Sequence, residues 1–334
     1  MSNATASQSV FLGIDLSSRH IRVGAIDAAG KLLHFRREPH DLAPGGKDNR
    51  DHSRALADKL LAATRQAIAE LDAPIAAIGV GFPGLVNHAT HRVTRLPNAP
   101  SLADIDLYQE FTAAFGFPVV FENNTNAATI AEMQQGVAQG VSDWLYLRIG
   151  HGVGAGLVLD GKLRRGKSGY AGEVGHMNID PEGEDCPCGS RGCLETMCSA
   201  PNIVRRTRAR LERDKTSVLS AFERRDEDFT YDDIIKAAHD GDDLALLMLQ
   251  RTGHFIGMVV ADLINVLNLS LVVIAGNTAA RPLLIPAIAD EAQRRSFAEA
   301  FADCQIVAGK LDSEAGVIGA ALLAQQEAQT PPAS

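Results

Sequence analysis

Three cysteines within eight residues, Cys186, Cys188 and Cys193, stand among glycines at 189 and 192 and follow a histidine, His176. A structural zinc ion takes four nitrogen or sulfur ligands in a tetrahedron, and three thiolates with one imidazole are a standard set. Cys186 and Cys188 sit one residue apart. The two glycines let the chain turn back to present Cys193, and His176 closes the set from a preceding element. Ordinary buried thiols are the alternative reading, but thiols scattered through a core do not gather so densely beside a histidine. Redox chemistry at Cys186 and Cys188 is a third; their spacing is not Cys-x-x-Cys, and metal ligation explains the same residues. Cys198 reads as a core thiol on the next helix, and Cys304 is isolated.

The elements that must position these ligands follow an α/β pattern. From Val10 to Asp27, alternating apolar residues flank Ser17-Ser18-Arg19, which predicts two strands around a turn. Arg54 to Leu71 carries apolar groups at helical spacing, and Ile75 to Gly81 is a short buried strand running into Pro83-Gly84. Pro118 to Phe121 predicts a further strand, and about Asn124 to Gly136 a helix. Trp144 to Ile149 and Gly154 to Leu159 repeat the opening theme of strand, glycine-rich turn and strand. Gly161 to Gly192 shows no regular pattern, and a stretch of that length is functional or pinned by something. Helices are predicted at Pro201 to Asp214, Thr230 to Asp240, Gly253 to Leu267 and Ala315 to Gln326, with a buried strand at Leu271 to Ala275. Thr230 stands three residues before Asp233, a form of capping box. Strands alternating with helices indicate the α/β class.

With 334 residues the chain exceeds what one core of about 250–300 residues usually holds, so two domains are expected. The net charge of −9 argues against a surface built to embrace nucleic acid. Arg205, Arg206, Arg208 and Arg210 fall at helical spacing and read as a solvated face. No apolar run approaches the roughly 20 residues of a bilayer span. The opening residues lack the regions of a signal peptide. A cytoplasmic protein with no membrane partner is the default reading.

Gly172-Glu173-Val174-Gly175-His176, followed by Cys-x-Cys-Gly-x-x-Gly-Cys-Leu-Glu, resembles the signature of the ROK family, which groups bacterial sugar kinases with sugar-responsive repressors. The resemblance extends to Gly81-x-Pro83-Gly84, Glu122-Asn123, Gly152-Val153-Gly154-Ala155-Gly156 and Gly316-x-x-Gly319-Ala320-Ala321. It implies an actin-like (ribonuclease H-like) two-lobed fold with a sugar cleft between the lobes. The lobes would comprise residues 1–124 plus 314–334, and residues 125–313 with the zinc loop. It also implies a sugar site lined by Asn98, Asn123, Asn124, Glu173, His176 and Glu195. The chemistry agrees: a carboxylate can accept from two vicinal hydroxyls, and an amide serves either role. His176 could bind the metal through one ring nitrogen and give the other N–H to a sugar oxygen.

A kinase of the family needs a base after the Glu-Asn pair and a glycine-rich phosphate cradle. Here Asn124 stands where an aspartate is usual, and an amide cannot take a proton. The first phosphate turn reads Asp15-Leu16-Ser17-Ser18-Arg19 in place of Asp-x-Gly-Gly-Thr, adding side chains where backbone N–H groups must approach phosphate. The second reads Gly150-His151-Gly152 in place of Gly-Thr-Gly. The degenerate nucleotide set would be Asp15, Ser17, Ser18, Gly152, Gly154 and Gly276. Because phosphoryl transfer depends on positioning and charge stabilisation, three departures in one machine predict a sugar sensor or regulator core with lost or weak kinase activity. The alternative is an ATP-dependent sugar kinase, with Asp15 still organising Mg2+. Only about ten residues precede the first strand, too few for a helix-turn-helix. The chain therefore reads as a truncated regulator or a stand-alone sensor, with the family resemblance favouring a homodimer or homotetramer.

Overall fold

The first strand pair follows from a run of seven buried residues, Val10–Leu16 (β1), turned back at Ser17–Arg19 into His20–Ile26 (β2). Ser17 N–H donates to the His20 carbonyl at 2.9 Å, and the Ser17 hydroxyl accepts from His20 N–H at 3.2 Å, which closes the hairpin. This is a computed structural model describing residues 9–40, 50–96, 100–213 and 215–329. The chain divides into two units: Met1–Gln139 with Leu163–Ala171 and Ser313–Ser334, and Gly140–Lys162 with Gly172–Asp312.

In the first unit, β1 and β2 are joined by Leu32–Pro39 (β3), Ile75–Phe82 (β4) and, after the small ribbon Leu85–Asn87 (β5) and Arg92–Arg95 (β6), by Val119–Asn123 (β7). The sheet order is β3-β2-β1-β4-β7, antiparallel through the first three strands and parallel thereafter. In the second, Trp144–Ile149 (β8), Val153–Leu159 (β9), Lys162–Leu163 (β10), Leu271–Gly276 (β11) and Gln305–Ala308 (β12) form the order β10-β9-β8-β11-β12. The β8–β9 hairpin is antiparallel and β11 and β12 are parallel to β8. The same hairpin-plus-parallel-strands order thus occurs once in each unit. This is the actin-like, ribonuclease H-like α/β arrangement expected from the sequence, where the likeness of the two units shows as the repeated strand, turn and strand.

Helix Ala315–Gln329 lies on the first sheet at a distance only glycine permits. A Cβ on Gly13 would sit 2.0 Å from the Val317 carbonyl oxygen, and one on Gly79 would sit 1.9 Å from that of Ala320. Helix Asn124–Gln135 packs on the same helix and belongs to the first unit, so the unit boundary does not fall at residue 124. Leu163–Ala171 also returns to the first unit.

The second unit is built around helix Asp243–Leu267, which starts ten residues before the expected Gly253 because the Asp242 side chain caps it, accepting from Ala245 N–H. At full length this helix is long and apolar enough to cross a bilayer, unlike the shorter run read from the sequence. Yet 61% of its apolar window is buried among its own unit's helices. Helix Arg281–Arg295, with prolines at 282 and 286, packs against Gly253 and Gly257 and was not predicted. The capping box of Thr230 and Asp233 is present at helix Tyr231–His239.

Candidate functional site

The irregular stretch is held by its own backbone. Cys186 N–H donates to the Ser190 carbonyl at 2.8 Å and Gly189 N–H to that of Cys186 at 2.9 Å, a turn carried by Gly189 at φ +99°. Ile179 N–H donates to the Gly192 carbonyl at 2.8 Å, and a Cβ on Gly192 would lie 1.6 Å from the Asp180 carbonyl oxygen. These turns gather His176, Cys186, Cys188 and Cys193 into a group able to hold a metal ion, with all four ligand atoms within 4.8 Å of one another. Cys186 Sγ is 3.6 Å from His176 Nδ1, and Cys188 Sγ is 3.7 Å from Cys193 Sγ. Burial pushes the metal-free Cys186 thiol up to about 12 and raises Cys193 as well. Such buried donors suit a cation that replaces their protons. Cys198 is fully buried and Cys304 lies apart, as expected.

Because Nδ1 faces the thiols, Nε2 of His176 is turned the other way, 3.8 Å from Glu173 Oε2. Burial raises the Glu173 carboxyl, against the pull of His176 and with a smaller push from Glu195. Glu195, on the short helix Leu194–Cys198 that begins at Cys193, accepts from Val153 N–H at 2.7 Å. Its Oε2 would be 2.5 Å from a Cβ on Gly152, so the carboxylate lies against the β8–β9 turn. That turn closes on itself through Gly150 N–H to the Gly152 carbonyl at 2.9 Å, and Ala200 N–H holds the Gly150 carbonyl at 2.7 Å. Gly276, at φ +121°, ends β11 beside Ile149, while Gly154 lies in β9 opposite Arg148. The second unit therefore brings Glu173, His176, Glu195, Gly152 and the three cysteines into one connected loop system.

In the first unit the expected residues carry bonds the sequence did not suggest. Asn123 caps helix Asn124–Gln135: its Oδ1 accepts from Thr125 and Asn126 N–H at 2.8 and 3.0 Å, and its Nδ2 donates to the Gly84 carbonyl at 2.8 Å. Asn124 is buried and donates from Nδ2 to the Leu16 carbonyl at 3.0 Å. Asp15 is 2% exposed and pairs with Arg22 at 2.7 Å, while its Oδ1 is buried without a hydrogen-bond partner. A divalent cation at Asp15 would have to share that carboxylate with the guanidinium that holds Oδ2. Ser17 spends its hydroxyl on the hairpin, and Ser18 lies half-buried in the turn. Asn98 lies outside the described residues.

The sequence reading missed a buried ion pair on the same unit. Glu122 is 1% exposed; its Oε1 accepts from Asn123 N–H and Asn126 Nδ2, and its Oε2 from Arg165 Nε at 2.5 Å. His88 Nδ1 lies 3.5 Å from the same oxygen. Arg165 is in the returning segment Leu163–Ala171, which Tyr170 also ties down by a 2.8 Å hydroxyl bond to Thr94. Breaking a buried pair by removing one partner costs about 3–5 kcal/mol; Arg165 is partly exposed, so water offsets some of it. Arg165→Ala is expected to lower the denaturant midpoint clearly, and Arg165→Lys by less. Equal midpoints for wild type and Arg165→Ala would show that the pair does not anchor the segment.

A sequence profile described as the ROK family matches residues 11–327. The chain is 29% identical over 331 residues to a glucokinase of Halalkalibacterium halodurans, covering 95% of each. It is 30% identical over 310 residues to a xylose repressor of Caldicellulosiruptor bescii, covering 92% of this chain and 76% of the repressor. Among solved structures, a ROK family transcriptional regulator homologous to the E. coli Mlc protein superposes with a TM-score of 0.82 at 31% identity, covering 97% of this chain and 79% of that one. A ROK family glucokinase from Streptomyces griseus, in complex with glucose and AMPPNP, superposes with a TM-score of 0.78 at 27% identity, covering 95% and 100%.

Proposed function

The chain belongs to the ROK family, and from that premise we propose that it binds a sugar on a zinc-braced loop and has little or no kinase activity, as a sugar sensor or regulator core. The observation that supports the loss of kinase activity is the buried Arg22–Asp15 pair, in which a guanidinium holds one oxygen of the carboxylate a nucleotide-bound Mg2+ would need. Asn124, engaged by the Leu16 carbonyl, adds to it. Zinc fits the donor set: sulfurs each about 2.3 Å from a tetrahedral ion stand about 3.8 Å apart, and those of Cys188 and Cys193 are 3.7 Å apart. Zinc on Nδ1 would fix His176 with a proton on Nε2, a donor aimed past Glu173. Glu173 and Glu195 accept sugar hydroxyls in this reading. Asn124 contributes an amide. Asn123, whose oxygen already accepts twice, has one N–H left to offer. Asn98 is carried over from the resemblance alone. The cellular form is a cytoplasmic homodimer or homotetramer.

Calorimetric titration of the full chain with glucose, fructose, N-acetylglucosamine and N-acetylmannosamine tests the pocket. At least one sugar should bind, and Glu173→Gln should weaken it by about tenfold or more, since hydrogen bonds to charged groups contribute about 1.5–3 kcal/mol. Binding of none of the four would overturn the reading. The glucokinase relative matched over 95% of both chains favours a second one, an ATP-dependent sugar kinase using Mg2+.

A further inference from the structure

The carboxylate of Glu173 has no bond of its own to aim it. It makes no side-chain hydrogen bond among the described residues and stands 3.8 Å from His176 Nε2. Its direction therefore follows from the backbone that carries it, and any freedom left in that backbone is lost again on each binding event. The turn around it is fixed within the second unit. A Cβ on Gly172 would lie 2.8 Å from the Ala155 carbonyl oxygen, one on Gly175 2.1 Å from that of Val153, and Val174 N–H donates to the Gly172 carbonyl at 2.7 Å. The chain leading into that turn belongs to the first unit as far as Ala171. There Arg165 is engaged at two points. Its Nε donates to the buried Glu122 carboxylate at 2.5 Å, and its carbonyl accepts from Ala171 N–H at 3.0 Å, two residues before Glu173. The short loop closed by this bond is pressed onto the β5–β6 ribbon. A Cβ on Gly169, at φ +88°, would lie 2.4 Å from the Val86 carbonyl oxygen, and the Tyr170 hydroxyl bonds that of Thr94. Glu122 is held in turn by Asn123 N–H and Asn126 Nδ2 at 2.9 and 3.0 Å, which makes it a fixed anchor.

We propose that Arg165 is a positioning residue for Glu173: its guanidinium fastens the loop to Glu122 while its carbonyl fixes the chain two residues ahead of the sugar-binding carboxylate. The ion pair alone would suit a purely structural role. What distinguishes it is that the same residue closes the loop at the far end, so freeing its side chain frees the backbone that enters Glu173. Hydrogen bonds to hydroxyls weaken steeply with distance and angle, and a site keeps its geometry only when the residues behind it are held. Arg165 touches neither sugar nor metal; it acts through the backbone. This role rests on the sugar reading of Glu173 and adds to it the residue that aims the carboxylate.

A double-mutant cycle tests it, read as the calorimetric affinity of the metal-loaded full chain for whichever of glucose, fructose, N-acetylglucosamine and N-acetylmannosamine the wild type binds. Arg165→Gln should weaken binding by about tenfold, and Arg165→Lys and Tyr170→Phe by less. In the Glu173→Gln background, which lacks the carboxylate being aimed, Arg165→Gln should cost less than about twofold more. In sugar-free protein, amide exchange at residues 171–174 should quicken in Arg165→Gln while that of β8 and β11 stays as in the wild type. A pair that serves stability alone would lower the denaturant midpoint and leave affinity unchanged, or lower affinity equally in both backgrounds. Either result, or unchanged exchange at residues 171–174, would overturn the proposal. If Arg165→Gln does not fold by circular dichroism, Arg165→Lys takes its place in the same measurements. Binding of none of the four sugars by the wild type would overturn the sugar reading and this role with it, whereas sugar binding with additive losses would overturn this role alone.

Discussion

Stripping metal from the full chain with a strong chelator is expected to lower its thermal midpoint and to abolish measurable sugar binding together. A metal held by Cys186, Cys188, Cys193 and His176 would cross-link two turns that no sheet supports, and its binding free energy would be folding free energy for that loop. Zinc-finger peptides gain about 10–16 kcal/mol in this way; here much of the loop is already held by backbone bonds, so a smaller part appears as stability. Even about 3 kcal/mol would lower the midpoint of a unit this size by roughly 6–12 °C. Sugar binding should fall with it, because in the proposed reading His176 is both ligand and donor, and Glu195 lies in the first turn of the helix that Cys193 opens. Metal uptake must also displace thiol protons, because the metal-free Cys186 thiol is protonated up to about pH 12. Affinity should therefore fall as pH falls. Cys193→Ser should lose the metal, whereas Cys198→Ser, buried with its Sγ 3.8 Å from the Thr252 carbonyl, should retain it. Chelated protein that kept its midpoint and its sugar affinity would separate the metal from recognition.

Asn124→Asp, the substitution that restores a carboxylate at the base position, is expected to destabilise the protein without producing an efficient kinase. The Asn124 amide donates to the Leu16 carbonyl in a buried setting. An aspartate there loses the donor and faces a carbonyl oxygen with its own, at a cost of about 1–3 kcal/mol. Its carboxyl would be pushed upward by the same burial. A working general base typically contributes about 10²–10⁴-fold, but Asp15 would remain bound to Arg22 and the turn would keep Ser17 and Ser18. The denaturant midpoint should fall, and sugar-dependent ADP release should stay near background. A rise within that range would show that the missing base alone silences the chain.

The Cys/His group was legible because its four residues fall within 18 positions and their types admit few alternatives. The hairpin and the β8–β9 turn were legible from alternation and glycine. Asn123 was assigned to sugar, although an asparagine directly before a helix is also the ordinary cap signal. The Arg22–Asp15 pair could have been found: both residues are equidistant from the centre of the turn, so a hairpin must set them opposite each other. The Glu122–Arg165 pair could not, since 43 residues and an irregular segment separate its partners. Helix Arg281–Arg295 was hidden by Pro286, which sits inside it and reads as a breaker. The boundary at residue 124 failed for a related reason, because the packing of helix Asn124–Gln135 is set by the distant helix Ala315–Gln329.

The central claim is sugar recognition without phosphoryl transfer. Its most direct test runs ATP, Mg2+ and each of the four sugars with the metal-loaded chain in a coupled ADP-release assay, beside calorimetric titration of the same preparation. The account predicts saturable binding of at least one sugar and ADP release no greater with that sugar than without it. Robust turnover that depends on the bound sugar would contradict it.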